Sequence, residues 1–432
     1  MNTREIAVKI LCEFEKDLKI KPHFERLTKN LSFKDRSFVR EIVSGSVRFL
    51  KLLDFSIEKV SGKNQKKQHP AVRNSLRILA YQIFFMSVPL YAAINETVEA
   101  VKHFRKKAAG FVNAVGKKLI NFDYKAEIEK IPDFYERIST LYSFENWMVK
   151  RWHRFYEDEL VSILSFLNRT APLYIRINTL KVKVSDYLKF LEESGIEFEV
   201  HPFIKEMVRI KGKVDIQSLP GYADGFFYIQ DVASYLSALL LSPQKGKKIL
   251  DIAAAPGGKT TAIAALVENE ADIIAVDVDS ERLKLLDRNL EKLGVNCVKT
   301  LKTDITKENP FTENSFDRVL LDAPCSGTGI IRRHPEGKWN KSLSLIKHNQ
   351  KLEKALLKEA FKLLKPGGTL LYSVCSLERE EGEEIVNFAL NIGFKKRDFD
   401  IKFEEIGVKG SMARVFPHKQ GTDGFFYAIF TK

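Results

Sequence analysis

The feature that most constrains the fold is a series of short apolar segments that each run into an aspartate. KKILDIA leads into the loop AAPGGKT and a helical stretch TAIAALVE, ADIIAVDVD carries Asp277, NCVKTLKTD ends on Asp304, and FDRVLLDAP breaks at Asp322. Short apolar runs separated by helical patterns read as strands of a largely parallel sheet covered on both faces. In the intervening stretch SERLKLLDRNLEKLG, Leu283, Leu286, Leu290 and Leu293 form one stripe, with Ser280 as the expected N-cap and Gly294 as the terminator. GGTLLYSVCS supplies a further strand and DGFFYAIFTK an alternating final one. Residues 236–432 are therefore expected to form a doubly wound, Rossmann-like α/β domain.

The rest of the chain has a different texture. In REIAVKILCEF, Ile6, Ile10 and Phe14 recur at helical spacing, and VPLYAAINETVEAVKHF starts a helix after Pro89, so residues 1–140 read as an all-α domain. Residues 141–235 mix strands (PLYIRINTLK, IEFEVHPFIKEMVRIKG) with a short helix, which predicts a small α+β linking domain. The net charge is +14, and residues 1–140 hold +11 of it, which points to a polyanionic partner such as nucleic acid. No apolar run approaches a membrane span, and the acid-bearing start does not read as a signal peptide. The four cysteines contain no CxxC pair, so neither a zinc site nor any other bound metal is expected, and the reading is of a cytoplasmic protein without disulfides.

In a doubly wound sheet, ligands gather beyond the carboxyl ends of the strands. The loop Ala253, Ala254, Ala255, Pro256, Gly257, Gly258, Lys259 follows the first strand, and its glycines let a ligand approach the backbone. Asp277 is placed to take ribose hydroxyls, Asp304 or its neighbours to face an adenine amino group, and Asp322 ends the fourth strand. The alternative for Asp277 and Asp304 is capping of their own turns. The loop lacks both GxGxxG and GxxxxGK[ST], which favours a nucleoside cofactor without a phosphate tail, and S-adenosylmethionine is such a cofactor. Cys325 and Cys375 then follow the fourth and fifth strands in similar Cys-Ser settings, over the same crevice. The alternatives are buried apolar thiols or metal ligands, though only His334 lies near. The chemistry that wants a thiol here is cytosine methylation. A thiolate adding to carbon 6 makes carbon 5 nucleophilic, Asp322 steadies the ring, and a second thiol assists release.

ILDIAAAPGGKT, AVDVDSERL, LLDAPCSGTGIIRRHPEGKW and LLYSVCSLEREEGEEIV together resemble the RNA 5-methylcytosine methyltransferases, while KDRSFVREIVSGSVRFL, YAAINETVEAVK and FVNAV resemble a NusB-type RNA-binding domain. That pairing is similar to the bacterial Sun/Fmu (RsmB) family. The resemblance implies a class I methyltransferase domain acting on a cytosine of small-subunit ribosomal RNA. It further implies Cys375 as nucleophile, Cys325 as the release-assisting thiol, and Ala253 through Lys259, Asp277, Asp304 and Asp322 around the cofactor. Lys259 is also expected to reach Asp322. Two positions depart from the family pattern, Ala253 for a frequent cysteine and Gly382 for a frequent asparagine. For RNA contact, Arg332, Arg333 and Lys338 are expected at phosphates, Trp339 beside an extruded base, and Arg176 and Asn178 on the substrate side. A monomer suffices for this chemistry. The competing readings are the same reaction on transfer RNA and a non-catalytic RNA-binding assembly factor.

Overall fold

The computed structural model describes residues 2–401 and 403–432, and the chain divides into two compact units, residues 1–169 with Ile331–Asn340, and Thr170–Ile330 with Lys341–Lys432.

The described residues of the first unit form helices and the loops between them, with no strand among them. Helix Thr3–Asp17 begins where the Asn2 side chain accepts from the Arg4 N–H, and it buries Ile6, Ile10, Leu11 and Phe14, the stripe its sequence predicts. That stripe joins one core with residues of helices Phe33–Arg48 and Pro70–Phe85. Gly45 makes the packing possible, because a Cβ there would lie 1.9 Å from Cζ of Tyr81. The helix expected after Pro89 runs Leu90–Arg105.

The segment Ile331–Asn340 is built into this unit. Lys338 is fully buried, and its Nζ donates to the carbonyls of Arg48 (2.8 Å), Ser143 (3.1 Å) and Tyr142 (3.3 Å) and to Oδ1 of Asn168. Arg48 ends helix Phe33–Arg48 and Tyr142 caps helix Phe134–Leu141, so the ammonium meets the partial negative charge that collects at two helix C-termini. Burial, reinforced by the nearby Arg48 guanidinium, lowers its pKa, while these oxygen acceptors favour its charged form. Trp339 donates Nε1–H to the Val47 carbonyl at 2.8 Å, and Arg332 is buried with its guanidinium 5.4 Å from the Phe166 ring centre. Burial of Arg332 and Lys338 corrects the expectation that they contact RNA, while Trp339 and Arg333 are half-buried beside them.

In the second unit the strands are β1 (Leu173–Ile177), β2 (Phe198–His201), β3 (Ile204–Ile210), β4 (Phe227–Ile229), β5 (Lys248–Ile252), β6 (Asp272–Asp277), β7 (Val298–Lys302), β8 (Phe316–Asp322), β9 (Leu364–Val374), β10 (Lys395–Lys396), β11 (Met412–Val415) and β12 (Phe425–Thr431). The first four form a small sheet, β2-β3-β1-β4, with Tyr187 and Leu191 of helix Val184–Glu193 in its core. The others form an eight-stranded sheet, β10-β12-β9-β8-β5-β6-β7, with β11 beside β12. β9, β8, β5, β6 and β7 are mutually parallel, and β12 returns antiparallel to β9. Alternate residues enter two different cores. Ile249, Leu320 and Leu371 pack with helices Val232–Leu240, Gly258–Leu266 and Ser280–Leu293, while Leu250, Leu321 and Leu370 pack with Leu343–Leu363 and Glu383–Asn391. The leucine stripe of Ser280–Leu293 is buried and Gly294 closes the helix at φ 72°, as read from sequence. The N-cap is Asp279 and not Ser280, since its carboxylate accepts from the N–H groups of Glu281 and Arg282. Among the described residues, no helix is long and apolar enough to cross a membrane.

Arg176 and Asn178 are corrected too. Arg176 is buried between the rings of Tyr228 and Tyr235, and donates to Gln230 Oε1 (2.8 Å), the Gly258 carbonyl (2.9 Å) and Thr261 Oγ1 (3.0 Å). Burial lowers its pKa to about 10, so it stays cationic at neutral pH. Asn178 spans the carbonyls of Gly225 and Leu293, each at 2.8 Å. Both brace the scaffold rather than a substrate.

Replacing Lys338 by Met keeps the volume and strands the helix-end carbonyls. The expected loss is about 2–4 kcal/mol, read as a lower urea midpoint for the helical unit. An unchanged midpoint contradicts the packing role.

Candidate active site

β5 leads into the loop Ala253–Gly257, whose backbone is strongly bent. Ala253 sits at φ 61° and Gly257 at φ 98°, and a Cβ on Gly257 would fall 2.2 Å from Leu286 Cδ1. The positive φ is what calls for glycine at 257. The loop is tied to its surroundings by Ala254 N–H to the Val276 carbonyl (2.9 Å), Ala255 N–H to Asp277 Oδ2 (3.1 Å), Asn289 Nδ2 to the Pro256 carbonyl (2.8 Å), and Arg282 to the Ala255 carbonyl.

The strand-end acids separate into two kinds. The buried Asp277 carboxylate accepts from the N–H groups of Ala255 and Asp279, which fixes its rotamer and leaves lone pairs for a hydroxyl-bearing ligand. Asp304 is turned into its own loop, where it accepts from Thr306 N–H and Oγ1 (3.1 and 2.6 Å) and pairs with Lys307 at 3.0 Å. The Thr306 hydroxyl leads the interactions that lower its pKa. The structure thus gives the Asp304 carboxylate the capping geometry that was the alternative, and does not link it to the other acids.

Asp322, at the end of β8, accepts from Lys259 Nζ at 2.6 Å and from Ser373 Oγ at 2.8 Å, so Lys259 does reach across from the loop. Burial opposes the Lys259 charge, but Asp322, with Cys375 and Asp251 beyond it, outweighs this and raises its pKa. Asp251 is the residue sequence reasoning missed. It lies inside β5, accepts from Thr260 Oγ1 at 2.6 Å, and keeps its buried Oδ1 without a hydrogen-bond partner. The signal was an acid within the otherwise apolar run KILDI.

The parallel pairing of β8 with β9 sets Asp322 opposite Ser373, and the two strands deliver Cys325 and Cys375 side by side with their sulfurs 3.4 Å apart. Both are free and half-buried. The hydrogen bond with Cys375 and burial, with the buried Glu381 and Glu353 behind, push the Cys325 thiol well above its ordinary pKa. Beside Gly382, Arg414 donates to the Ser376 carbonyl at 2.7 Å and pairs with Glu383 at 2.8 Å, and its Nη2 would lie 2.5 Å from a Cβ at 382.

The donor set fits a nucleoside cofactor bearing hydroxyls and positive charge. Asp277 offers lone pairs to a diol, Asp322 supplies negative charge beside Lys259, and the buried Asp251 Oδ1 is an unpartnered acceptor. S-adenosylmethionine has this complement of groups.

Burial first, and then Asp322 and Asp277, raise the pKa of Asp251 from 3.8 to about 7. The folded chain therefore binds this proton more tightly than the unfolded one. Its contribution to stability is present at acid pH and lost as pH rises through about 7, a span of about 4 kcal/mol. Asp251→Asn should raise Tm at pH 8.5 and leave it near the wild-type value at pH 4; a difference independent of pH contradicts the assignment.

A family model described as 16S rRNA methyltransferase RsmB/F matches residues 238–431, a NusB family model matches residues 1–120, and a ferredoxin-like domain model of RsmF/B-like methyltransferases matches residues 144–217. The chain is 33% identical over 408 residues to ribosomal RNA small subunit methyltransferase B of Serratia proteamaculans, covering 94% of this chain and 92% of that protein. Its identity to the protein of the same name in Yersinia pseudotuberculosis is 30% over 434 residues, covering 100% of this chain and 99% of that protein. Among solved structures, PH0851 superposes with a TM-score of 0.83 at 27% identity, covering 100% of this chain and 99% of PH0851. NSun6 from Pyrococcus horikoshii superposes with a TM-score of 0.63 at 25% identity, covering 68% of this chain and 99% of NSun6. By these matches the chain belongs to the RsmB/F family of 16S rRNA methyltransferases.

Proposed function

We propose that this chain methylates carbon 5 of a cytosine in 16S rRNA, with Cys375 as the nucleophile, Cys325 assisting its release and Asp322 recognising the base. The observation that carries the reading is the pair of sulfurs 3.4 Å apart beside the Lys259–Asp322 ion pair. S-adenosylmethionine, when bound, supplies an electrophilic methyl group. The loop Ala253, Ala254, Ala255, Pro256, Gly257, Gly258, Lys259 would hold it, together with Asp277, Asp322 and the turn around Asp304.

Two features favour Cys375 over Cys325 as the attacking thiolate. Lys259 lies near enough to Cys375 for that residue to help raise the Lys259 pKa, so a cation is available beside the attacking sulfur. Cys325 is held protonated beside it, which lets its S–H donate toward the Cys375 sulfur. Addition of the Cys375 thiolate to carbon 6 forms a C–S bond and pushes electron density into the ring, making carbon 5 nucleophilic. Asp322, fixed by Lys259 and Ser373, accepts from the exocyclic amine, and the Lys259 ammonium steadies the charge developing on the ring. After carbon 5 is methylated its proton leaves to a base, and that electron pair re-forms the ring double bond as the C–S bond breaks. The electrons of that bond return to Cys375, and the Cys325 S–H stabilises the departing thiolate. For carbon 6 to reach Cys375 the nucleotide must be unstacked and extruded. The basic helical unit supports salt-sensitive binding to RNA, and the cytoplasm and a monomer complete the reading.

Cys325→Ala and Cys375→Ala separate the two roles. With labelled cofactor and unmodified small-subunit RNA, Cys325→Ala is expected to accumulate a covalent protein–RNA adduct on a denaturing gel. Cys375→Ala is expected to give neither adduct nor labelled 5-methylcytosine. The opposite pattern would place the nucleophile on Cys325.

A further inference from the structure

Each thiol is followed by a serine, and the serines pair as the cysteines do. Ser326 and Ser376 are both fully buried with their hydroxyl oxygens 3.2 Å apart, one residue along from the sulfurs at 3.4 Å. A single buried carboxylate anchors this second pair. Glu381 Oε1 accepts from the Ser326 N–H at 2.8 Å, Oε2 accepts from the Ser326 hydroxyl at 2.5 Å, and Asn349 Nδ2 donates to Oε1 at 3.2 Å. The Glu381 carbonyl takes the Tyr372 hydroxyl at 2.7 Å, which ties it to β9 itself. On the other side, Thr328 Oγ1 lies 3.4 Å from Ser376 Oγ and accepts from the Leu377 N–H at 2.9 Å, and Gly329 N–H donates to the Cys375 carbonyl at 3.0 Å.

We propose that Ser326, Ser376 and Glu381 form a positioning clamp that sets the spacing of the two thiols and thereby the balance between adduct formation and release. The proposal rests on the thiol roles assigned above. None of the three is a catalytic residue; they act through Cys325 and Cys375. A sulfur pair alone is a poor spacer, since S–H is a weak donor and sulfur a weak acceptor. The oxygen network behind it consists of stronger bonds, one end charge-assisted, in a site that excludes water. Glu381 also acts electrostatically. Its carboxylate sets negative charge behind Cys325, while Lys259 interacts with Cys375. Glu353, buried and next to Glu381, is itself kept protonated with a pKa raised to about 10, so the carboxyl pair carries one charge. The clamp therefore holds the release thiol in place and keeps its proton on.

Glu381→Gln tests this in the full-length protein, because it keeps the shape and removes the charge and one acceptor. If a shift of about 1 Å between the sulfurs follows, kcat should fall about 100-fold while KM for the RNA and affinity for S-adenosylmethionine stay within about twofold. The unresolved adduct should build up on a denaturing gel, and alkylation of Cys325, mapped by mass spectrometry across a pH series, should move to lower pH. A purely structural role would not move that pH profile. Ser326→Ala, which deletes one hydroxyl, carries the same kcat and adduct expectations and keeps the test open if Glu381→Gln does not fold. Wild-type kcat and adduct fraction with an unmoved alkylation profile would overturn the clamp. A wild-type enzyme giving neither product nor adduct would overturn the functional reading instead, and the alkylation profile would still decide the clamp.

Discussion

The active site depends on the parallel hydrogen bonding of β8 to β9. Neither strand's loop is remarkable alone, since each is an apolar run that breaks into Cys-Ser. Pairing in a register that sets Asp322 against Ser373 brings two thiols 50 positions apart in sequence to 3.4 Å, and brings the Ser373 hydroxyl onto the Asp322 carboxylate. Because side chains alternate along a strand, a slip of one residue would turn these groups to the opposite face. The sheet is thus the device that converts two separate motifs into one reactive pair.

Around that pair, charge is distributed unequally. Lys259 and Asp322 form an ion pair on the Cys375 side, and the buried acids Glu381 and Glu353 lie behind Cys325. A cation beside one sulfur and a carboxylate behind the other give the two thiols different electrostatic surroundings, which suits a nucleophile and a release-assisting partner. The chain uses buried charge for scaffolding as well. Lys338 meets two helix C-termini, and Arg176 ties the small sheet's first strand to the first turn of helix Gly258–Leu266.

This difference explains what was legible in the sequence. The strand and helix succession, the leucine stripe, the glycine at 257 and the convergence of the thiols were readable because they follow from periodicity and topology, which are properties of the chain itself. The fates of Arg332, Lys338, Trp339, Arg176 and Asn178 were not. A basic residue in a loop looks the same whether it meets phosphate or a helix-end carbonyl, and only tertiary packing decides. The same holds for Asp304, whose Asp-x-Thr spacing was compatible with a ligand and instead closes a turn. Asp251 was passed over because it sits within a strand, where its burial is invisible until the sheet is assembled. The resemblance of the paired motifs to a known family carried the choice between the thiols, and the position of Lys259 supplies a physical reason for it.

The central claim is that Cys375, and not Cys325, bonds to carbon 6. It is tested most directly with small-subunit RNA carrying 5-fluorocytosine, in which fluorine replaces the proton that must leave and the adduct cannot resolve. After incubation of the wild-type enzyme with S-adenosylmethionine and this RNA, nuclease and protease digestion would leave one nucleotide on one peptide. The account expects tandem mass spectrometry to find it, carrying the added methyl group, on Cys375. A nucleotide found on Cys325 would contradict it.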